Sequence, residues 1–161
     1  MAIKVGDRLP EGKFTVMAEG GPKPVSVSEL FSGKTVVLFA VPGAFTPTCS
    51  EQHLPGFLAH ADALKAKGAA TIACTAVNDV FVLSAWAKAR DAQDDITMLA
   101  DGNADFAKAL GLDIDLSQFG LGIRSKRYAM IVEDGVVKYF AIEDSPPEHI
   151  KATAEKVLAS F

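Results

Sequence analysis

The chain has 161 residues, 49% of them hydrophobic and 22% charged, a composition that fits one packed domain over residues 1–161 and excludes disorder as the dominant state. Sixteen Lys and Arg against 20 Asp and Glu give a net charge of −4, and no basic run could neutralise a string of phosphates, so nucleic acid is not an expected ligand. Val36 to Val41, the longest apolar stretch, is far short of the ~20 residues that cross a bilayer, Lys4, Asp7 and Arg8 stand where a leader would be apolar, and two cysteines are too few for a disulfide-stapled secreted domain; the expectation is a soluble cytoplasmic protein with reduced thiols and no membrane partner.

Phe14–Met17 and Val25–Val27, on either side of the Pro/Gly cluster Glu19–Pro24, predict an N-terminal β-hairpin. Thr35–Val41 (TVVLFAV) is a short, β-branched apolar run, the pattern of a strand buried on both faces of a parallel sheet. Ala70–Val77 (ATIACTAV) is a second such run. The interval of about thirty residues between them suits a crossover helix, and Leu54, Phe57, Leu58, Ala61 and Leu64 fall on one helical face. Asn78 and Asp79 can cap a second helix through Arg90, with Phe81, Ala85 and Trp86 as its apolar side. Tyr128–Val132 and Val136–Ile142, joined across Asp134-Gly135, predict an antiparallel hairpin. Ser145-Pro146-Pro147-Glu148 combines Pro at a first helical position with a Ser-x-x-Glu capping box, which predicts a terminal helix over Pro146–Ala159. This order is that of a thioredoxin-like α/β fold, a central mixed sheet flanked by helices.

The segment Val41-Pro42-Gly43-Ala44-Phe45-Thr46-Pro47-Thr48-Cys49 follows the first buried strand, and in open parallel sheets ligands bind at the carboxyl ends of strands. Pro47 suits the first helical position, which makes Thr46 the N-cap and Cys49 the third helical residue. A thiolate there meets free N–H donors and the positive end of the helix dipole, so Cys49 reads as a nucleophile; the competing reading is a buried Cys acting as a small hydrophobe. A dithiol motif would need a second Cys where Thr46 stands, so reversible dithiol exchange within the motif is excluded. The Thr46 hydroxyl both donates and accepts, which suits a small hydroxylic or peroxidic substrate. His53 stands four residues after Cys49 and reads as exposed or capping rather than as the base of a cysteine hydrolase.

Pro42-x-x-x-Thr46-x-x-Cys49, within VPGAFTPTCSEQHLPGF, resembles the active-site segment of the peroxiredoxins. His53-Leu54-Pro55-Gly56-Phe57, the run Val77 to Val82, Trp86 and Arg124-Ser125-Lys126-Arg127-Tyr128 make it similar to the peroxiredoxin-five and plant type II subfamily, over about Lys4 to Val137. The resemblance implies a cysteine-dependent peroxidase acting on hydrogen peroxide and small alkyl hydroperoxides, usually a homodimer, with no metal or organic cofactor. It makes Cys49 the peroxidatic thiolate, Thr46 the substrate-positioning hydroxyl, Pro42 the ring that shields the site and Arg124 the cation. Arg127 is the competing cation, less favoured because it opens a strand whose neighbours are core.

Attack by the Cys49 sulfur on peroxide leaves a sulfenic acid that another thiol must resolve. The chain has no Cys after Cys74, which matches the second Cys of the plant type II pattern. Cys74 sits mid-strand, so pairing with Cys49 requires the first helical turn to unravel, helped by Pro55-Gly56; core packing is the preferred reading, and Cys74 remains the possible resolving residue. The expected electron donor is glutathione with glutaredoxin, or thioredoxin. The segment from Ile142 departs from the family pattern and is expected to carry no catalytic residue. Phe45, Phe81 and Phe119 suit a small dimer contact. A function of another class, a redox-relay or peroxide-sensor module passing Cys49 oxidation to a protein partner, uses the same site.

Overall fold

The computed structural model describes residues 2–161, and the element order follows from local sequence for most of that length. The N-terminal hairpin is β1 (Lys13–Ala18) and β2 (Gly21–Ser26), after which Ser26 caps α1 (Val27–Phe31) in a reciprocal box with Glu29. The TVVLFA run is β3 (Thr35–Ala40), and ATIACTAV contributes its parallel neighbour β4 (Thr71–Ala76). Between them lie a π-helical turn, Cys49–His53, and the helices α2 (Leu54–Ala59) and α3 (Ala61–Ala66). Asp79 caps α4 (Val80–Ala89) by accepting from Val82 N–H, as the sequence predicts.

Next come β5 (Thr97–Ala100), α5 (Asp105–Leu110) and a separate two-stranded sheet of β6 (Asp113–Asp115) and β7 (Ile123–Ser125). None of these is foreseen from the sequence. The four residues of β5 carry little β-branched character and become a strand because β4 on one side and β1 on the other supply ladder partners. The chain then forms β8 (Tyr128–Glu133) and β9 (Val136–Ile142), turning at Asp134 and Gly135 with φ of 48° and 78°. Both values are positive, as a two-residue turn matching strand twist requires. The main sheet has the order β2-β1-β5-β4-β3-β8-β9 and is mixed, with β3, β4 and β5 parallel and β8 antiparallel to β3.

Successive residues of β3 face opposite cores. Val37 and Phe39 join Leu54, Phe57, Leu83, Trp86 and Val157 on one face. Val36, Leu38 and Ala40 join Phe14, Phe31, Phe106 and Tyr128 on the other. With both faces covered, the carboxyl ends of β3 and β4 are the place where the chain can present a loop over a dry interior.

The predicted helix over Pro146–Ala159 is corrected: only α6 (Ala154–Ala159) is helical, capped by Thr153. Upstream, Ser145 Oγ donates to Glu148 Oε1 at 2.8 Å, so the two residues of the capping box satisfy each other instead of the backbone. Glu143 Oε2 accepts from the N–H groups of Ile150, Lys151 and Ala152 at 3.0, 2.7 and 2.6 Å. The carbonyls of Pro146 and Pro147 are taken by Arg127 and Thr48. Tertiary partners thus satisfy the backbone groups that a helix would have paired.

Candidate active site

The loop leaving β3 is pinned at three points. Ala44 N–H donates to Asn78 Oδ1 at 2.9 Å, Thr46 Oγ1 donates to Gly43 O at 2.7 Å, and Arg124 Nη1 donates to Pro42 O at 3.4 Å. A Cβ at Gly43 would stand 2.9 Å from Arg124 Nη1 and 3.2 Å from Thr46 Cγ2, so any side chain there would displace the arginine tip that braces the loop. Pro42 is buried, and its ring covers the loop without offering an N–H. Helical backbone begins at Pro47, with Thr46 just before it and Cys49 as the third residue, the placement the sequence predicts.

At Cys49 the helix changes period. Leu54 N–H reaches back to Cys49 O, an i→i−5 bond, and the turn Cys49–His53 is π-helical. Pro55 supplies the reason: it has no N–H for the carbonyl of Glu51, and its ring would strike that carbonyl in a regular α-helix, a conflict relieved by one extra residue in the preceding turn. The expected weakness at Pro55-Gly56 therefore takes the form of a π-turn. Cys49, Ser50 and His53 are its buried residues.

Arg127 stands immediately before β8, whose first residue Tyr128 pairs with Ala40 at the end of β3, so its side chain emerges at the level of the active loop. Its Nη2 donates to Cys49 Sγ at 3.1 Å and to Pro146 O at 3.1 Å. Nη1 meets His53 Nδ1 at 3.0 Å, and Nε donates to Pro146 O at 3.2 Å. Arg124, in β7, turns instead to the carbonyls of Leu121 and Pro42. The expectation that Arg124 is the cation of the sulfur is corrected: Arg127 contacts it and Arg124 braces the loop. The signal for this was the strand start itself, since the residue preceding a central strand that pairs with β3 lies at the mouth of the loop.

His53, expected to be exposed or capping, is fully buried. It lies against Phe39 and Phe57, with ring centroids 4.9 and 5.5 Å away, and its Nε2 meets Ala152 O at 2.9 Å. Burial holds its pKa well below the ordinary histidine value, and the charges of Arg127 and His149 push the same way against the bond to Ala152 O. The ring is neutral. Because a guanidinium can only donate, Nδ1 must be the acceptor and Nε2 carries the proton that is given to Ala152 O. The segment after Ile142, where no catalytic residue is expected, supplies the carbonyls of Pro146 and Ala152 that hold Arg127 and His53.

Cys74 lies in β4 opposite Phe39 and belongs to the same apolar cluster as Cys49; both cysteines are free and buried. Burial pushes the Cys74 thiol well above its ordinary range, Cys49 adds to the shift, and Arg127 opposes it. Cys74 is therefore a neutral thiol. Beneath the turn, Trp86 Nε1 donates to Ser50 Oγ at 2.9 Å. Among the described residues no group of three or more His, Cys, Asp or Glu side chains is arranged to hold a metal ion.

The family described as Redoxin matches residues 4–158. Peroxiredoxin-2C of Oryza sativa subsp. japonica is 48% identical over 160 residues, 99% of this chain and 98% of that protein. Peroxiredoxin-2E-2, chloroplastic, of the same organism is 50% identical over 147 residues, 88% of this chain. The chain spans just under two thirds of the length of the chloroplastic relatives, 65% of the rice protein and 63% of peroxiredoxin-2E of Arabidopsis thaliana. The solved structure of reduced Prx3 from Vibrio vulnificus in complex with hydrogen peroxide superposes with a TM-score of 0.93 at 51% identity, covering 98% of each chain. Peroxiredoxin 5 from Alvinella pompejana superposes with a TM-score of 0.85 at 37% identity, covering 98% of this chain and 97% of its own.

Proposed function

This chain belongs to the Redoxin family and, within it, to the peroxiredoxins of the type II kind, and from that premise we propose that it is a thiol-dependent peroxidase whose nucleophile is the Cys49 sulfur. The observation that carries the reading is the Arg127 Nη2–H donated to Cys49 Sγ at 3.1 Å, with both residues buried. A guanidinium keeps its proton at any working pH, so it balances a thiolate before reaction and stabilises the oxygen on which charge develops.

In the reaction, the Cys49 thiolate attacks the near oxygen of ROOH. The S–O bond forms as the O–O bond breaks, the leaving alkoxide or hydroxide takes a proton to become ROH or water, and Cys49 is left as a sulfenic acid. Thr46, whose hydroxyl proton is given to Gly43 O, turns an acceptor toward the hydroperoxide O–H. Pro42 shields the sulfur from water. Burial of the sulfur favours hydrogen peroxide and small alkyl hydroperoxides as substrates, and no metal or organic cofactor takes part.

The electrons that return Cys49 to the thiol come from glutathione with glutaredoxin, or from thioredoxin. A neutral Cys74 held in β4 between β3 and β5 supports resolution by an external thiol rather than by Cys74. Phe45, Phe81 and Phe119 are 54, 63 and 67% exposed, which supports a homodimer contact. No helix among the described residues is long and apolar enough to cross a membrane, and two free cysteines suit the reducing cytoplasm. The relay or sensor reading is not favoured by the relatives.

Mass spectrometry after one equivalent of hydrogen peroxide, with and without glutathione, tests the cycle: Cys49 should appear as a sulfenic acid and then as a mixed disulfide with glutathione. Cys49→Ser should abolish peroxide consumption with the fold intact, because a hydroxyl does not ionise near neutral pH. Turnover retained by that variant refutes the reading.

A further inference from the structure

The guanidinium of Arg127 is held at opposite corners by two different parts of the chain. On one edge, Nε and Nη2 share Pro146 O, at 3.2 and 3.1 Å. At the other corner Nη1 meets His53 Nδ1, at 3.0 Å. One carbonyl at one edge leaves the plane free to swing; a second acceptor on another element fixes the direction in which Nη2 points, and that direction is the Cys49 sulfur.

We propose that His53 is a positioning residue for the peroxidase reaction: as a neutral acceptor at Nδ1 it aims Arg127 at the Cys49 sulfur and at the oxygen under attack. Three observations converge on this. His53 and Cys49 are carried on the same π-turn, four residues apart, so the acceptor and the nucleophile keep their spacing to one shared arginine. The ring is confined, because Nε2–H is tied to Ala152 O and the rings of Phe39, Phe57 and His149 pack against it at centroid distances of 4.9, 5.5 and 5.0 Å. Its tautomer is set from outside: with Nε2 committed to a carbonyl, Nδ1 is left with a lone pair directed at the guanidinium. Loss of that lone pair would leave a buried Nη1–H without its acceptor and the guanidinium free to turn toward Pro146.

The two ring nitrogens can be separated by substitution. In His53→Asn the side-chain oxygen sits where Nδ1 was and can accept from Arg127. In His53→Gln the amide sits where Nε2 was and can donate to Ala152 O while offering Arg127 nothing. The expected result is a second-order rate constant with hydrogen peroxide within about threefold of wild type for His53→Asn and lower by on the order of tenfold or more for His53→Gln. The pH profile of that rate constant should match wild type for Asn and depart from it for Gln. A merely structural role, through the tie to Ala152, predicts the reverse order, and that order, or full rates in both variants, overturns the proposal. If both variants lose activity, the same substitutions in an Arg127→Ala background decide: a loss that vanishes there supports action through Arg127, and one that persists overturns it. The proposal rests on the peroxidase reading, but their failures are distinct, since an inactive wild type ends that reading and only the contrast between active variants judges His53.

Discussion

The indole N–H of Trp86 in α4 donates to the hydroxyl of Ser50, the residue following Cys49, at 2.9 Å. Both side chains are buried, and the bond ties the floor of the site to the π-turn. Trp86→Phe keeps an aromatic ring but leaves the Ser50 hydroxyl without its donor and removes some packing volume. Its unfolding free energy in urea should fall by about 1–3 kcal/mol. A change too small to measure would show that the bond contributes nothing to holding the turn.

The two arginines should differ sharply when each is replaced by lysine. An ammonium in place of Arg127 cannot serve Cys49, His53 and Pro146 together, and the rate with hydrogen peroxide should fall by on the order of 10²-fold. Arg124→Lys loses only two bonds to loop carbonyls, and its rate should stay within about tenfold of wild type. Stopped-flow rates that rank the variants in the opposite order would return the sulfur contact to Arg124.

Cys74→Ser should keep at least about half of the turnover supported by glutathione with glutaredoxin, because the ladder bonds of β4 to both neighbours must break before the two sulfurs can join. An intramolecular disulfide trapped in the wild type, together with loss of thioredoxin- and glutathione-linked turnover in the variant, would make Cys74 the resolving residue.

Stability should decline on mild acidification. His53 has its folded-state pKa held well below the ordinary 6.5 by burial first and by the charges of Arg127 and His149 next, so below about pH 6.5 the unfolded chain binds a proton that the folded chain refuses. The native state therefore loses stability as pH falls through that value, with a limiting slope of about 1.4 kcal/mol per pH unit for one such histidine. His149, lowered by its own burial and by Arg127, acts in the same direction. Urea denaturation at pH 7.5 and 5.5 should show the difference, and His53→Asn should reduce it; equal stabilities at the two values would contradict a neutral buried His53.

Features encoded within a few residues were legible in the sequence. The apolar runs of β3 and β4, the Asp134-Gly135 turn, the Asp79 cap and the Thr46-Pro47 helix start each act through neighbours along the chain, and Cys49 was found because its distance from that start is itself the chemical signal. β5 escaped because its residues have weak strand preference and acquire their pairing from β4 and β1.

What the sequence by itself determined was the cysteine near a helix start, the loop that presents it and the buried runs of β3, β4 and β8, since backbone geometry, capping and alternation of side chains are short-range physics. The tertiary structure alone decided which groups surround the sulfur. Arg127 reaches Cys49 across 78 residues and His53 reaches Ala152 across 99. The same packing sends the Ser145–Glu148 segment away from a helix, because its carbonyls are claimed by Arg127 and Thr48 and the neighbouring N–H groups by Glu143. A capping box states what the backbone would do with no better partner, and a buried cation supplies a better one.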